Sequence, residues 1–171
     1  MRNHYAYAVI TDTKSRFSKV ARNLTKSDYN HASFAFTDDL SIMYTYTISG
    51  GSQGKGGFEV ETYETMKGSD YMLYRVKLTS QQYLKLNSFI LQNHLQIDKT
   101  NYNRLNLLNS ILGKPLFKSK NNMNYICSEF VAVMFEMAGV DVSNGRGVDK
   151  MKPHEFLEQG VLEFVRQGKI T

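Results

Sequence analysis

The chain has 171 residues, a length that fits one domain with a hydrophobic core of its own. Its composition is 42% apolar and 22% charged, with 11 Tyr and 10 Phe, which is typical of a globular protein. A single cysteine excludes an internal disulfide, and no apolar run reaches the roughly 18 residues of a membrane-spanning helix. We expect one domain over residues 1–171 and a cytoplasmic location, because the first residues do not resemble a cleavable signal.

The net charge is +5 and the isoelectric point is near 9.2. Lysines and arginines cluster at residues 14–26 and again at residues 114–120. Such a balance is compatible with an anionic membrane surface as a partner, although it more often forms a solvated face. No zinc-finger or ribonucleoprotein signature accompanies it, so nucleic acid is the less favoured partner. The four histidines and one cysteine fit no zinc spacing.

The first half of the chain reads mainly as strands. Aromatic and β-branched residues predict strands, and a 3.6-residue apolar period predicts a helix with a basic outer face. Asp38 and Asp39 favour a tight turn, so the strands on either side of it should form a hairpin. The predicted elements are a strand at 5–11, a helix at 15–24, a strand at 31–36, a turn at 37–40 and a strand at 41–48.

A glycine-rich stretch at residues 49–57 follows the hairpin. It lacks the Gly-Lys-Ser/Thr ending of a phosphate-binding loop and precedes a strand instead of a helix. We interpret it as a mobile loop over or beside a site.

The second half of the chain shifts from strands to helices. Thr79 and Gln82 have the spacing of a capping box, which predicts a helix start at that point. Strands followed by clustered helices indicate the α+β class. The predicted elements are strands at 58–64 and 72–78, helices from 79 and at 103–112, a short helix from 153 and a final strand at 161–165.

The only cysteine, Cys127, falls where a helix should begin. Asn124 is a suitable N-cap, Glu129 lies in the first turns, and the apolar period continues until Gly139. A thiol at a helix N-terminus is at the positive end of the macrodipole, which favours the nucleophilic thiolate and could hold an oxyanion. The alternative is a small core hydrophobe, which is the commoner fate of a free cysteine.

His31 is the best candidate for a base that would act on Cys127. It begins a predicted strand, where a side chain is rigidly aimed, and its neighbours Ala32, Ser33 and Ala35 are small enough to leave room. The other three histidines lie at the chain start or on predicted helices. A hydrogen-bonded core histidine is the alternative reading of His31.

The segments around His31 and Cys127, together with Gly56-Gly57-Phe58, resemble one family. The segments are Asn30-His31-Ala32-Ser33-Phe34-Ala35-Phe36 and Tyr125-Ile126-Cys127-Ser128-Glu129-Phe130-Val131. The family is that of the papain-like NlpC-type cysteine hydrolases, in the circularly permuted branch that includes YiiX-like proteins and relatives of lecithin:retinol acyltransferase. Here the histidine precedes the cysteine, which is the permuted order. The resemblance implies a papain-like fold with an antiparallel sheet or small barrel packed against helices.

The same resemblance implies Cys127 as nucleophile and His31 as general base. Such enzymes use a third polar residue to orient the imidazole, and the chain has no His or Glu 12 to 15 residues beyond His31. A turn centred on Asp38 and Asp39 would pair residue 31 with residue 46. The candidates for the orienting residue are then Tyr44 and Tyr46, on the expected face of His31, and Glu61, the nearest carboxylate by sequence.

The expected activity is cleavage of an amide or ester through an acyl-enzyme on Cys127, with no metal or organic cofactor. The substrate would be a small molecule, a peptide or a lipid, and the residues leave peptidoglycan-type amides and lipid esters equally open. Two other functions are left open. One is a non-catalytic binding module on the same fold, and the other is a basic adaptor for anionic membrane or nucleic acid.

Overall fold

The computed structural model describes residues 3–13, 28–112 and 123–171. The strands are β1 (His4–Asp12), β2 (His31–Ala35), β3 (Met43–Thr47), β4 (Gly57–Glu61), β5 (Asp70–Leu78), β6 (Asn101–Tyr102), β7 (Asn124–Tyr125) and β8 (Glu163–Lys169). The helices are α1 (Ser80–Leu95), α2 (Arg104–Leu112) and α3 (Cys127–Met137), with short 3₁₀ turns at Ser52–Gly54, Ile97–Lys99, Val148–Lys150 and Pro153–Glu158. The fold is therefore α+β, as predicted. The helix predicted at 15–24 and both basic clusters lie outside the described residues.

Six strands form one sheet in the order β4-β3-β2-β1-β5-β8, and every neighbouring pair is antiparallel. The strand β1 lies inside the sheet, between β2 and β5. A second, two-stranded sheet pairs β6 with β7 in parallel, immediately before the helix that carries Cys127. Among the described helices, none is long and apolar enough to cross a membrane.

Both faces of β1 are buried, which explains its nearly continuous apolar sequence. Alternate residues of β1 point to a helix-side core and to a second core on the opposite face. The helix-side core includes Ala6, Ala8, Ile10, Phe34, Tyr46, Phe58 and Phe130, and the second core includes Tyr7, Val9, Ala35, Leu40, Met43 and Ile170.

The helix α3 packs on β2 and β3 through an almost wholly apolar surface. The ring of Phe130 lies 5.1 Å from that of Tyr46 and 5.9 Å from that of Phe58, measured between centroids. Burying a large aromatic side chain contributes on the order of 2 kcal/mol. These contacts fix the position of the first residue of α3 relative to the sheet.

The helix α1 holds the other end of α3. Thr79 and Gln82 form the predicted capping box, with Gln82 N–H donating to Thr79 Oγ1 at 3.2 Å and Thr79 N–H donating to Gln82 Oε1 at 2.7 Å. The same Gln82 donates from Nε2 to the Ala138 carbonyl at 2.6 Å, and Lys85 donates to the Met137 carbonyl at 3.0 Å. The last carbonyls of α3 are thus satisfied by α1 side chains.

The predicted register of the hairpin is wrong by one residue. Phe34 pairs with Tyr44, whereas pairing residue 31 with residue 46 would place Phe34 opposite Met43. Because side chains alternate along a strand, a slip of one residue moves each of them to the other face. Tyr44 and Tyr46 therefore lie on the helix-side face with Phe34, opposite to the face of His31 and Ser33.

The predicted N-cap of α3 is also wrong. Asn124 lies in β7, and the N-cap residue is Ile126, with an extended backbone at φ −90° and ψ 166°. The pairing of β6 with β7 holds Asn124 in a strand. The Glu129 carboxylate, from the first turn of α3, accepts the free N–H of Ile126 instead.

Candidate active site

Cys127 is the first residue of α3 and is buried, with 7% of its surface exposed. The Glu129 Oε2 atom accepts the Ile126 N–H at 3.3 Å, which fixes the chain immediately before the cysteine. The first intrahelical bond runs from Phe130 N–H to the Ile126 carbonyl at 3.0 Å. The N–H groups of the first turn, including that of Cys127, therefore precede the helical ladder and face the direction in which anions bind.

A buried acid–amide network supports this helix start. Glu129 Oε2 accepts a second hydrogen bond, from Asn106 Nδ2 at 2.8 Å, and the same amide group donates to the Asp149 carbonyl at 3.1 Å. Burial raises the pKa of Glu129 above its usual 4.5. The network joins α2, the start of α3 and the 3₁₀ turn at Val148–Lys150.

His31 is the first residue of β2 and faces the carboxylate of Glu61 from β4. Its Nε2 atom lies 3.0 Å from Glu61 Oε1 and 3.1 Å from Glu61 Oε2. The exposed fraction is 12% for the His31 side chain and 8% for that of Glu61. This is a largely desolvated acid–imidazole pair, in which each charge depends strongly on the other.

Cys127 neighbours the His31 ring and contributes to raising the pKa of His31. Because Nε2 faces Glu61, Nδ1 is the ring nitrogen that we expect to interact with the thiol. The structure thus brings together three of the five site residues expected from the sequence: Cys127, His31 and Glu61.

Electrostatics in this cluster favour a charged imidazole and a charged carboxylate. Burial disfavours the imidazolium, but the charge of Glu61 and hydrogen bonds with Cys127 and Glu61 raise the pKa of His31 well above its usual 6.5. Burial likewise disfavours the Glu61 carboxylate, but the His31 charge and hydrogen bonds from His31 and Ser33 lower the pKa of Glu61 below its usual 4.5. The opposite directions are those expected of an ion pair.

Ser33 completes the cluster. Its side chain is fully buried, and Oγ donates to Glu61 Oε2 at 2.5 Å while lying 3.2 Å from His31 Nε2. The sequence indicates Ser33 only as a small neighbour of the histidine. The signal that could have identified it is strand alternation, which places residues 31 and 33 on the same face.

The structure does not bring Tyr44 or Tyr46 to the imidazole. The Tyr46 hydroxyl donates to Asn93 Oδ1 on α1 at 2.5 Å, and its ring packs against Phe130 in the helix-side core. The ring of Tyr44 stacks on Phe58 with centroids 6.2 Å apart. The tyrosine candidates are thus packed strand aromatics, as the one-residue register error explains.

The end of the glycine-rich stretch, Gly56 and Gly57, packs closely against residues 100–102, whereas residues 53–55 are exposed. A Cβ atom on Gly57 would lie 2.5 Å from Thr100 Oγ1, and one on Gly56 would lie 2.9 Å from Tyr102 Cβ. The Phe58 N–H donates to the same Thr100 hydroxyl at 3.1 Å. The glycines permit this close approach of the backbone to a neighbouring segment.

Tyr102 is a further residue near the cysteine, and no sequence pattern indicates it. Burial and the neighbouring charges of Cys127 and Glu129 raise its pKa well above the usual 10.0. Its position depends on the pairing of β6 with β7, a contact between two-residue strands that carry no recognisable periodicity.

In the described part of the chain, His, Cys, Asp and Glu side chains form no group of three that could hold a metal ion. Comparison of the chain with protein-family models found no match, and comparison with curated proteins found none either.

Proposed function

We propose that this chain is a cysteine-dependent hydrolase or acyltransferase that cleaves an amide or ester bond, on a circularly permuted papain-like fold of the NlpC type. The observation that carries the proposal is the contact of Glu61 with His31 Nε2, on a ring whose pKa the neighbouring Cys127 also raises. A nucleophile, a base and a group that orients the base are the components of covalent acyl transfer.

The order of elements supports the permuted fold. The histidine strand β2 comes before the cysteine helix α3, and α3 packs directly on β2 and β3. A cysteine at the start of a helix packed on an antiparallel sheet is what the sequence resemblance implies for this family.

In the proposed mechanism, the proton given up by the Cys127 thiol already resides on His31 Nδ1, and the thiolate sulfur attacks the carbonyl carbon of the substrate. The carbonyl oxygen becomes an oxyanion, which the backbone N–H of Cys127 at the helix start can stabilise. Collapse of this intermediate breaks the bond to the leaving amine or alcohol, which receives the proton from His31.

The acyl group then leaves the sulfur by the reverse chemistry. His31 takes a proton from water or from an acceptor alcohol or amine, whose heteroatom attacks the thioester carbon. The carbon–sulfur bond breaks, the thiolate leaves, and the proton taken from the acceptor stays on His31, which restores the starting pair. Glu61 remains ionised throughout, stabilises the imidazolium and holds Nε2, so that Nδ1 stays aimed at the sulfur.

The alternative is a non-catalytic binding module on the same fold, and the burial of Cys127 favours it, since 7% of that residue is exposed. The contact of Glu61 with His31 argues against it, because the base then has the carboxylate partner that turnover needs.

The proposal is tested by trapping the acyl-enzyme. Wild-type protein is incubated with p-nitrophenyl acyl esters and with acyl-amino-acid amides, and intact mass is followed with time. We expect a mass increase of one acyl group in the wild type and none in Cys127→Ala, with acylation at least about 100-fold slower in His31→Ala.

His94→Ala is the matched control, because His94 is exposed on α1, and it should acylate like the wild type. The class of substrate that acylates fastest identifies the amide or the lipid-ester branch. Equal acylation of the wild type and Cys127→Ala would show that the label is on another residue, and no acylation by any substrate would favour the binding module.

A further inference from the structure

We propose that Ser33 is a positioning residue that keeps the Glu61 carboxylate ionised and aimed at His31. A role of Ser33 in catalysis rests on the proposed function. Its effect on the Glu61 carboxylate depends only on the contacts of the buried Ser33 hydroxyl.

The geometry of the hydroxyl is specific. Ser33 Oγ lies 2.5 Å from Glu61 Oε2 and 3.2 Å from His31 Nε2, so the three side chains form one closed polar cluster. A carboxylate only accepts hydrogen bonds, so the Ser33 proton points to Glu61, and a lone pair of Oγ is left facing the ring nitrogen. Ser33 therefore touches both members of the pair.

Burial gives this contact its importance. Ser33 is fully buried and Glu61 is 6% exposed, so water does not readily replace the hydroxyl as a donor. A short hydrogen bond to a charged oxygen is among the stronger kinds, and it becomes stronger in a low-dielectric site. Without it, the buried carboxylate would retain one charged partner, His31, and would be easier to protonate.

The backbone fixes Ser33 in this position. It lies inside β2 opposite Val9 of β1, two residues from His31 and on the same face of the strand. Glu61 is the last residue of β4 and reaches the cluster from two strands away. The serine thus anchors a long, flexible side chain to a rigid strand.

The control position is Thr45 on β3. Its hydroxyl is also fully buried and donates to the Ala32 carbonyl at 2.8 Å. Thr45→Val removes a buried hydroxyl from the neighbouring strand without removing the Ser33 donor of Glu61. It therefore reproduces the structural cost of losing a buried hydroxyl but not the proposed positioning role.

The test is the pH titration of the His31 ring by NMR in wild type, Ser33→Ala and Thr45→Val. The ionisable groups that act on this ring are Glu61 on β4 and Cys127 on α3. Protonation of Glu61 at low pH should appear as a shift of the ring signals, and Ser33→Ala should move that transition up by about one pH unit. Thr45→Val should leave it at the wild-type position.

An unchanged low-pH transition in Ser33→Ala would overturn the proposal, and so would an equal change in Thr45→Val. If Ser33→Ala does not fold, Ser33→Cys tests the same point, because a thiol is a weaker donor and should move the transition in the same direction. The acid limb of the Cys127 acylation rate should move with the NMR transition in the same variant. A wild-type thiol that never acylates would contradict the proposed function, while the titration would still decide the role of Ser33.

Discussion

Both carboxylate oxygens of Glu61 face the same nitrogen of His31, at 3.0 and 3.1 Å from Nε2. This arrangement commits one side of the ring to the acid and leaves the other for Cys127. It also assigns different tasks to residues from three elements: a nucleophile from a helix start, a base from the first position of a strand and an acid from the end of another strand.

The first prediction concerns the effect of His31 on the thiol. Cys127 is the only cysteine in the sequence, so iodoacetamide labelling reports on it alone. At pH 7 we expect His31→Ala to be alkylated about tenfold more slowly than the wild type, because the thiolate loses its imidazolium partner. His94→Ala should match the wild type. Equal alkylation rates in His31→Ala and wild type would show that His31 does not influence the reactivity of Cys127.

The second prediction concerns the charge of Glu61. Glu61→Gln keeps the size of the side chain and removes the negative charge that raises the pKa of His31. We expect the pKa of His31, measured from its ring signals by NMR, to fall towards 6.5, because burial is then opposed by Cys127 alone. Glu59→Gln is the control, since Glu59 occupies the same strand and bonds with Thr47. A His31 pKa that stays high in Glu61→Gln would mean that another group supports the imidazolium.

The third prediction concerns stability as a function of pH. The raised pKa of His31 contributes stability that is complete below 6.5 and is lost as pH rises through the folded-state value. The lowered pKa of Glu61 contributes stability that is complete above 4.5 and is lost as pH falls through the folded-state value. Both contributions are therefore complete between pH 4.5 and 6.5.

Urea unfolding of wild type and Glu61→Gln at several pH values measures this window. The difference between their free energies of unfolding should be largest near pH 5.5 and should shrink towards both extremes. Comparing the two proteins also cancels Glu129, whose raised pKa acts in the opposite sense. A difference that stays constant from the acid to the alkaline extreme would contradict the assigned pKa directions.

Local sequence signals were sufficient for most of the described elements, but not for the short strands β6 and β7 or for the contact between Glu61 and His31. The capping box of Thr79 and Gln82 is confirmed because both partners lie within four residues. Glu61 is a candidate only because it is the nearest carboxylate in the sequence, and no sequence pattern predicts its contact with His31. Its reach to His31 depends on the curvature and pairing of three strands, which no local pattern encodes.

The prediction of the hairpin register is wrong for an identifiable reason. The connection between β2 and β3 is longer than the predicted turn at 37–40, and within it Leu40 adopts φ +59° and is buried in the second core. A leucine in the left-handed region is rare and has no sequence signal. The observed pairing is shifted by one position, which places Met43 and Thr45 of β3, instead of Tyr44 and Tyr46, on the face of His31.

The last prediction separates Tyr46 from the site. Tyr46→Phe removes the hydroxyl that bonds with Asn93 and leaves a buried amide oxygen without that donor. We expect the free energy of unfolding to fall by about 1 to 3 kcal/mol, because an unsatisfied buried polar group carries its full desolvation cost. Cys127 alkylation should keep its wild-type rate, since the hydroxyl lies in the helix-side core and not beside the imidazole.

Tyr44→Phe provides the comparison, because Tyr44 is only half-buried and the change should alter stability by less than about 0.5 kcal/mol. If Tyr46→Phe slowed alkylation as strongly as His31→Ala, the tyrosine would orient the imidazole after all. The acid at Glu61 would then be a structural partner and not the orienting group.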